Sequence, residues 1–157
     1  MSKVSPFFWF DHHAEEAANF YVSLFPNSRV VSVRHWPDGS PFPKGSAQGV
    51  EFELDGRLFL GMDAGPQFKF TEAFSMFVDC KDQKEVDFLW RKLTENGGEE
   101  SMCGWLKDRF GLSWQIIPAG LQEALGHSDP VKAGKATQAM LKMRKIDIAE
   151  IRRAMNA

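Results

Sequence analysis

The sequence predicts an α+β fold in which a βαβββ unit occurs twice and is followed by helices. Three observations carry this. Short apolar runs bounded by Gly, Pro, Asn and Asp read as strands. Two segments place apolar residues at spacings of three and four, the period of a helix face. Residues 1–118 present these elements in the same order in each half, about 1–66 and 70–118, and residues 119–157 form a helical extension.

In the first unit the expected strands are Val4–Phe10, Arg29–Trp36, Gln48–Leu54 and Arg57–Met62. The helix after Asp11 is marked by Ala14, Ala17, Ala18, Tyr21, Leu24 and Phe25, and Pro26 ends it. In the second unit the strands are Phe74–Val78, Glu100–Cys103, Trp105–Phe110 and Ser113–Ile117. Its helix starts at Asp82 with Glu85 three residues on, buries Val86, Leu89, Trp90 and Leu93, and stops at Asn96-Gly97. Asp11 matches Asp79, and Phe20 matches Phe88, at one constant offset. The offset shrinks later because the first unit carries an extra loop over residues 37–46.

Residues 119–157 read as two or three helices. Asp129-Pro130 is an N-cap followed by proline at the first helical position, with Ala136, Met140 and Met143 as the apolar stripe. Asp147 with Glu150 starts the last helix. The basic residues of this tail are interleaved with apolar ones, the pattern of a solvated amphipathic face.

Composition narrows the function classes. The 157 residues carry 19 Lys+Arg against 21 Asp+Glu, a net charge of −2, which argues against a nucleic-acid or anionic-membrane partner for the chain as a whole. No run reaches the length a membrane helix needs. Residues 6–10 are too short for a signal-peptide core and lack a small-residue cleavage site, so a cytoplasmic protein is expected. Cys80 and Cys103 are then free thiols that pack as small hydrophobes. The unusual feature is the aromatic set of 14 Phe and 5 Trp with one Tyr, which either fills a core or lines a cavity.

Particular residues bring a family into view: Phe8-Trp9-Phe10-Asp11, Glu15-Glu16-Ala17, Phe20-Tyr21, Glu72-Ala73-Phe74-Ser75, residues 96–100, the long run from Cys103 to Pro118, and the tail over 140–149. With them, the two tandem units resemble the vicinal oxygen chelate superfamily of glyoxalases, extradiol dioxygenases and fosfomycin and bleomycin resistance proteins. Within it the chain is similar to the PhnB-like family, whose label is 3-demethylubiquinone-9 3-methyltransferase. The resemblance implies curved mixed sheets around a cleft, with a helix on the outer face of each, and a homodimer.

The resemblance also implies where a metal would sit. In metal-using relatives the ligands lie on the first strand of each unit and on the last strand. The matching positions here hold Pro6, Phe74 and Gln115, none of them a His or a carboxylate, so no metal or other cofactor is expected. His12-His13, His35 and His127 do not make up the set.

Strand alternation then nominates a pocket. Gln115, Ser113 and Ile117 share one face, and Leu58, Leu60 and Met62 another that is expected to turn to the cleft with Phe8 and Phe10. Glu51 and Glu53 oppose Val50, Phe52 and Leu54, so they face either the cleft or an edge open to water. The resulting ligand-binding set is Phe8, Phe10, His35, Glu51, Leu60, Met62, Phe74, Trp105 and Gln115, with Glu51 the candidate general base. Two functions follow. One is a metal-free binding protein for an apolar or aromatic compound. The other is an enzyme of the superfamily acting on a small oxygenated substrate. The labelled methyltransferase activity finds no support, because no glycine-rich turn opens a helix.

Overall fold

The computed structural model describes residues 3–157. The chain forms two compact units, Met1–Lys69 and Phe70–Ala157.

The first unit runs β1 (Phe7–Phe10), α1 (Ala14–Leu24), β2 (Arg29–His35), β3 (Ala47–Leu54) and β4 (Arg57–Asp63). Its sheet has the order β1-β4-β3-β2, with β1 parallel to β4 and the other pairs antiparallel. β1 is shorter than expected, since residues 4–6 precede it. The start of α1 is held from a distance. His13 makes no side-chain cap, and the Asp63 carboxylate takes its place. It accepts from the Ala14 N–H at 2.8 Å and from the Ala47 N–H at 2.8 Å. One buried carboxylate therefore ties the first turn of a helix and the start of a strand to the end of β4, and its charge suits a helix N-terminus.

α1 buries Ala14, Ala17, Ala18, Tyr21 and Leu24 against one face of this sheet. That face carries Val50, Phe52, Leu54 and Phe59, all buried. Phe8 and Phe10 join it, which corrects the sequence reading that placed them on the opposite face. The register pairs Phe8 with Gly61 and Phe7 with Leu60. Phe8 therefore sides with Phe59, on which it stacks with ring centroids 5.8 Å apart. Both Phe8 and Phe10 are 3 % exposed, and burial of each such ring contributes roughly 1.5–3 kcal/mol.

The second unit repeats the pattern with β5 (Ser75–Cys80), α2 (Gln83–Thr94), β6 (Glu99–Glu100), β7 (Trp105–Lys107) and β8 (Ser113–Pro118). The strand order β5-β8-β7-β6 is that of the first sheet, as a duplication requires. Asp82 caps α2, accepting from the Glu85 N–H at 2.9 Å. Val86, Leu89, Trp90 and Leu93 are buried on the helix, and Leu106, Trp114 and Ile116 on the sheet. β6 and β7 are shorter than expected. Residues 101–104 turn instead, with Cys103 and Gly104 both at positive φ. A Cβ on Gly104 would stand 3.1 Å from the Ile116 carbonyl and from Ile146, so the turn demands glycine there. β7 stops at Lys107 because Asp108 bends the chain. Its carboxylate accepts from the Phe110 and Leu112 N–H groups at 2.9 and 3.1 Å and from Trp114 Nε1 at 2.9 Å.

After β8 come α3 (Leu121–Leu125), α4 (Pro130–Met140) and α5 (Ile148–Met155). Asp129 and Asp147 cap the last two helices as expected. Met143 lies beyond the end of α4 rather than on its stripe, but it is buried with Ile117, Leu121, Ala136, Ile146 and Ile151 in a core of their own. The segment between α4 and α5 is fastened to α2. Gln83 donates to the Ile146 carbonyl at 2.8 Å and accepts from the Ile148 N–H at 3.0 Å. Two of the basic residues of the tail are paired here, Lys145 with Asp87 at 2.9 Å and Arg144 with Glu100 at 3.5 Å. Desolvation pushes the Asp87 carboxyl up, but the hydrogen bonds and charge from Lys145 and Gln83 outweigh it and hold it below its ordinary value. Among the described residues no helix is long and apolar enough to cross a membrane.

Candidate functional site

Alternation along β7 and β8 sends Leu106, Trp114 and Ile116 to α2 and their neighbours to the opposite, open face. Register aligns that face into two rows. Ser75, Ser113, Lys107 and Glu99 form one across four strands, and Phe77, Gln115 and Trp105 form the next. The second row is mostly aromatic. Phe77 is 50 % exposed, and Phe74, just before β5, is 47 % exposed. The Gln115 side chain donates to Ser75 Oγ at 2.9 Å.

The first row is polar and carries an anomaly. Ser113 is 1 % exposed, and its hydroxyl has no hydrogen-bond partner, alone in this among the buried side-chain nitrogen and oxygen atoms of the described residues. Its cross-strand partner Lys107 is engaged elsewhere, in an ion pair with Glu72 from the turn that precedes β5. That contact holds the Glu72 carboxyl below its ordinary value and Lys107 above its own, through the hydrogen bond first and the charge with it. A hollow of about 220 Å³ opens here, with Glu72, Glu99, Glu100, Trp105, Lys107 and Ser113 among its walls. Glu100 is already occupied, accepting from Trp90 Nε1 at 2.6 Å and facing Arg144. Ser113 and Lys107 carry no mark in the sequence beyond parity with Gln115. What singles them out is a contact from an irregular segment.

The predicted site residues divide between the two units. Trp105 and Gln115 are Cα partners on the open face of the second sheet, and Phe74 precedes the same sheet. Glu51 and Leu60 are Cα partners on the face of the first sheet away from α1, where Leu58 and Met62 also lie. Trp9 shares that face, donating to the Gly65 carbonyl at 2.9 Å and meeting Phe68 edge-on at 4.9 Å. Glu53 is held by Arg29, whose Nε donates to it at 3.1 Å. His35 belongs with Phe8 and Phe10 as a correction. Its register partner is Ala47, and its Nε2 lies 3.2 Å from Glu15 on α1.

Cys80 is inert by its surroundings, since burial, followed by the nearby Glu85 charge, pushes its thiol up to about 12. The residues that the resemblance implies for a metal site, Pro6, Phe74 and Gln115, do not fit a divalent ion. Pro6 and Phe74 offer no side-chain donor atom, and Gln115 offers a single neutral amide oxygen, a weak ligand by itself. Among the described residues no group of three or more His, Cys, Asp or Glu is placed to hold a metal.

Comparison with known proteins agrees with this architecture. The family model described as 3-demethylubiquinone-9 3-methyltransferase matches residues 2–117. A solved structure described as a putative 3-demethylubiquinone-9 3-methyltransferase, PhnB protein, from Bacillus cereus is 35 % identical, covers 75 % of this chain and 100 % of its own, and superposes with a TM-score of 0.71. A protein from Pseudomonas aeruginosa is 19 % identical over 75 % of this chain and 98 % of its own, with a TM-score of 0.63. The fosfomycin resistance protein FosX of Listeria monocytogenes, in complex with manganese and sulfate, is 16 % identical over 80 % of this chain and 98 % of its own, with a TM-score of 0.55. These last two show the shared fold alone. No curated protein matches the chain. With the family model spanning both βαβββ units, the chain belongs to the PhnB-like, 3-demethylubiquinone-9 3-methyltransferase family.

Proposed function

We propose that this protein binds a small molecule with an apolar or aromatic body on the open face of its second sheet, without a metal ion. The observation that carries the reading is the row of Phe77, Gln115 and Trp105, two large rings flanking one amide on a face that α2 does not cover. Small-molecule sites combine apolar walls with a few fixed polar groups in this way. Gln115, positioned by Ser75, supplies a carbonyl oxygen for a ligand donor. The donor set at the superfamily's metal positions supports the metal-free part of the reading.

The test is a melting-temperature screen against planar aromatic compounds, followed by tryptophan fluorescence titration of any that bind. A ligand at 100 times its dissociation constant stabilises by about 2.7 kcal/mol, a shift of several degrees for a chain of this size. Trp105→Ala is expected to remove the shift, and Phe68→Ala on the first unit to leave it. No shift with any compound at millimolar concentration would sink the reading.

A further inference from the structure

Hollows indent both units. One of about 410 Å³ in the first unit includes Glu53, which Arg29 already holds. Another of about 520 Å³ runs along Pro41-Phe42-Pro43 and Gly65-Pro66-Gln67 and contains no buried polar atom lacking a partner. The hollow of about 220 Å³ on the second sheet differs, because Ser113, whose buried hydroxyl has no partner, is among its lining residues. A native structure rarely leaves a buried hydroxyl unsatisfied, at a cost of about 1–3 kcal/mol, and one placed at a hollow points to a partner that arrives from outside.

The chemistry of that partner follows from the surrounding charge. Glu72, Glu99 and Glu100 stand at the hollow against Lys107 within it and Arg144 beside it. Lys107 is committed to Glu72 and Arg144 to Glu100. Glu99, the register partner of Lys107 on β6, has no ion-pair partner of its own within 4 Å among the described residues, although Lys107 feels its charge. The hollow is thus one positive charge short. The hydroxyl of Ser113 can accept a hydrogen bond, and the ring of Trp105 adds a face that attracts cations. At about 220 Å³ the space is below that of a typical drug-sized site, so it suits a head group whose body lies outside.

We propose that this hollow binds the protonated amine of a ligand whose apolar body rests on the Phe77–Gln115–Trp105 row. The ammonium donates to Ser113 Oγ and to the Glu99 carboxylate beside the Trp105 ring. The inference rests on the binding reading above and names the class of ligand for it, an aryl-alkyl amine.

Calorimetry with three probes of one skeleton tests it: 2-(2-naphthyl)ethylamine, the corresponding alcohol, and 2-naphthylacetic acid. The amine is expected to bind roughly tenfold more tightly than the alcohol, the gain of one charge-assisted hydrogen bond. Glu99→Gln, a change on an exposed edge strand, should bring that preference to about twofold, weakening the amine more than the alcohol. Ser113→Ala should weaken the amine more than the alcohol. Tighter binding of the acid would overturn the proposal in favour of an anion held by Lys107. Equal affinity for amine and alcohol would overturn it while the binding face stands. Failure of all three probes to bind would remove both.

Discussion

Lys107 and Ser113 are cross-strand partners on β7 and β8, yet their polar groups do not meet. The ammonium turns to Glu72, and the hydroxyl beside it is buried without a partner. The fold therefore buries this hydroxyl without giving it a protein partner.

That makes Ser113 a site where stability and function oppose each other. Ser113→Ala deletes the unsatisfied oxygen and leaves a methyl group of nearly the same shape. The free variant is expected to melt a few degrees higher, on the order of 1 kcal/mol. Differential scanning calorimetry reads the change directly. A lower melting temperature would show that the hydroxyl is satisfied in solution.

The Lys107–Glu72 ion pair has a pH signature. The Glu72 carboxyl is lowered in the fold, so its share of stability is present at neutral pH and is lost as pH falls through that lowered value. Lys107 is raised, so its share is lost as pH rises through the raised value in alkali. Glu99 acts on Lys107 in the same direction. Carboxyl NMR titration should show Glu72 titrating below an exposed glutamate, and Lys107→Met should return it to the ordinary range. An unchanged Glu72 titration in that variant would exclude the pair as the cause.

Two buried aspartates do parallel work in the two units. Asp63 joins the first residues of α1 and β3 to the end of β4, and Asp108 gathers two turn amides and the Trp114 indole. Replacing either with Ala strands several buried N–H groups, at about 3 kcal/mol or more. Chemical denaturation should place both variants well below Ser101→Ala, an exposed control. A loss under 1 kcal/mol would mean that water replaces the carboxylate.

The duplicated architecture was legible because its signals are local. Asp82 with Glu85, Pro26, and Pro130 after Asp129 mark helix ends by chemistry that acts within a few residues. The facing of β1 was not. Alternation separates two faces without saying which is buried, and β1 is apolar on both. β3 sets Glu51 and Glu53 against Val50, Phe52 and Leu54, so its phase reads correctly. β1 borrows its phase from β4, and the pairing of Phe7 with Leu60 rather than Phe8 with Leu60 turns the whole strand over. His35 went the same way, since its side follows from pairing with Ala47. The hollow was less legible still, because Glu72 reaches Lys107 from a turn that periodicity does not describe.

Gln115 offers the sharpest test of the metal-free reading. The family resemblance read from the sequence implies a carboxylate ligand at this position in metal-using relatives, and Gln115→Glu introduces one. If that single residue were all that this chain lacks, the variant would acquire a metal ion. The other positions argue otherwise, because Pro6 and Phe74 contribute no donor atom, and one carboxylate with water is a weak ligand set for a divalent cation. The variant should therefore show no stoichiometric uptake of Mn²⁺ or Zn²⁺ in calorimetry. It should instead lose the amide's donation to Ser75, whose hydroxyl can turn to donate to the new carboxylate and keep the strands together. Tight, saturable metal binding by Gln115→Glu would reveal donors that these positions do not supply, and would overturn the metal-free reading.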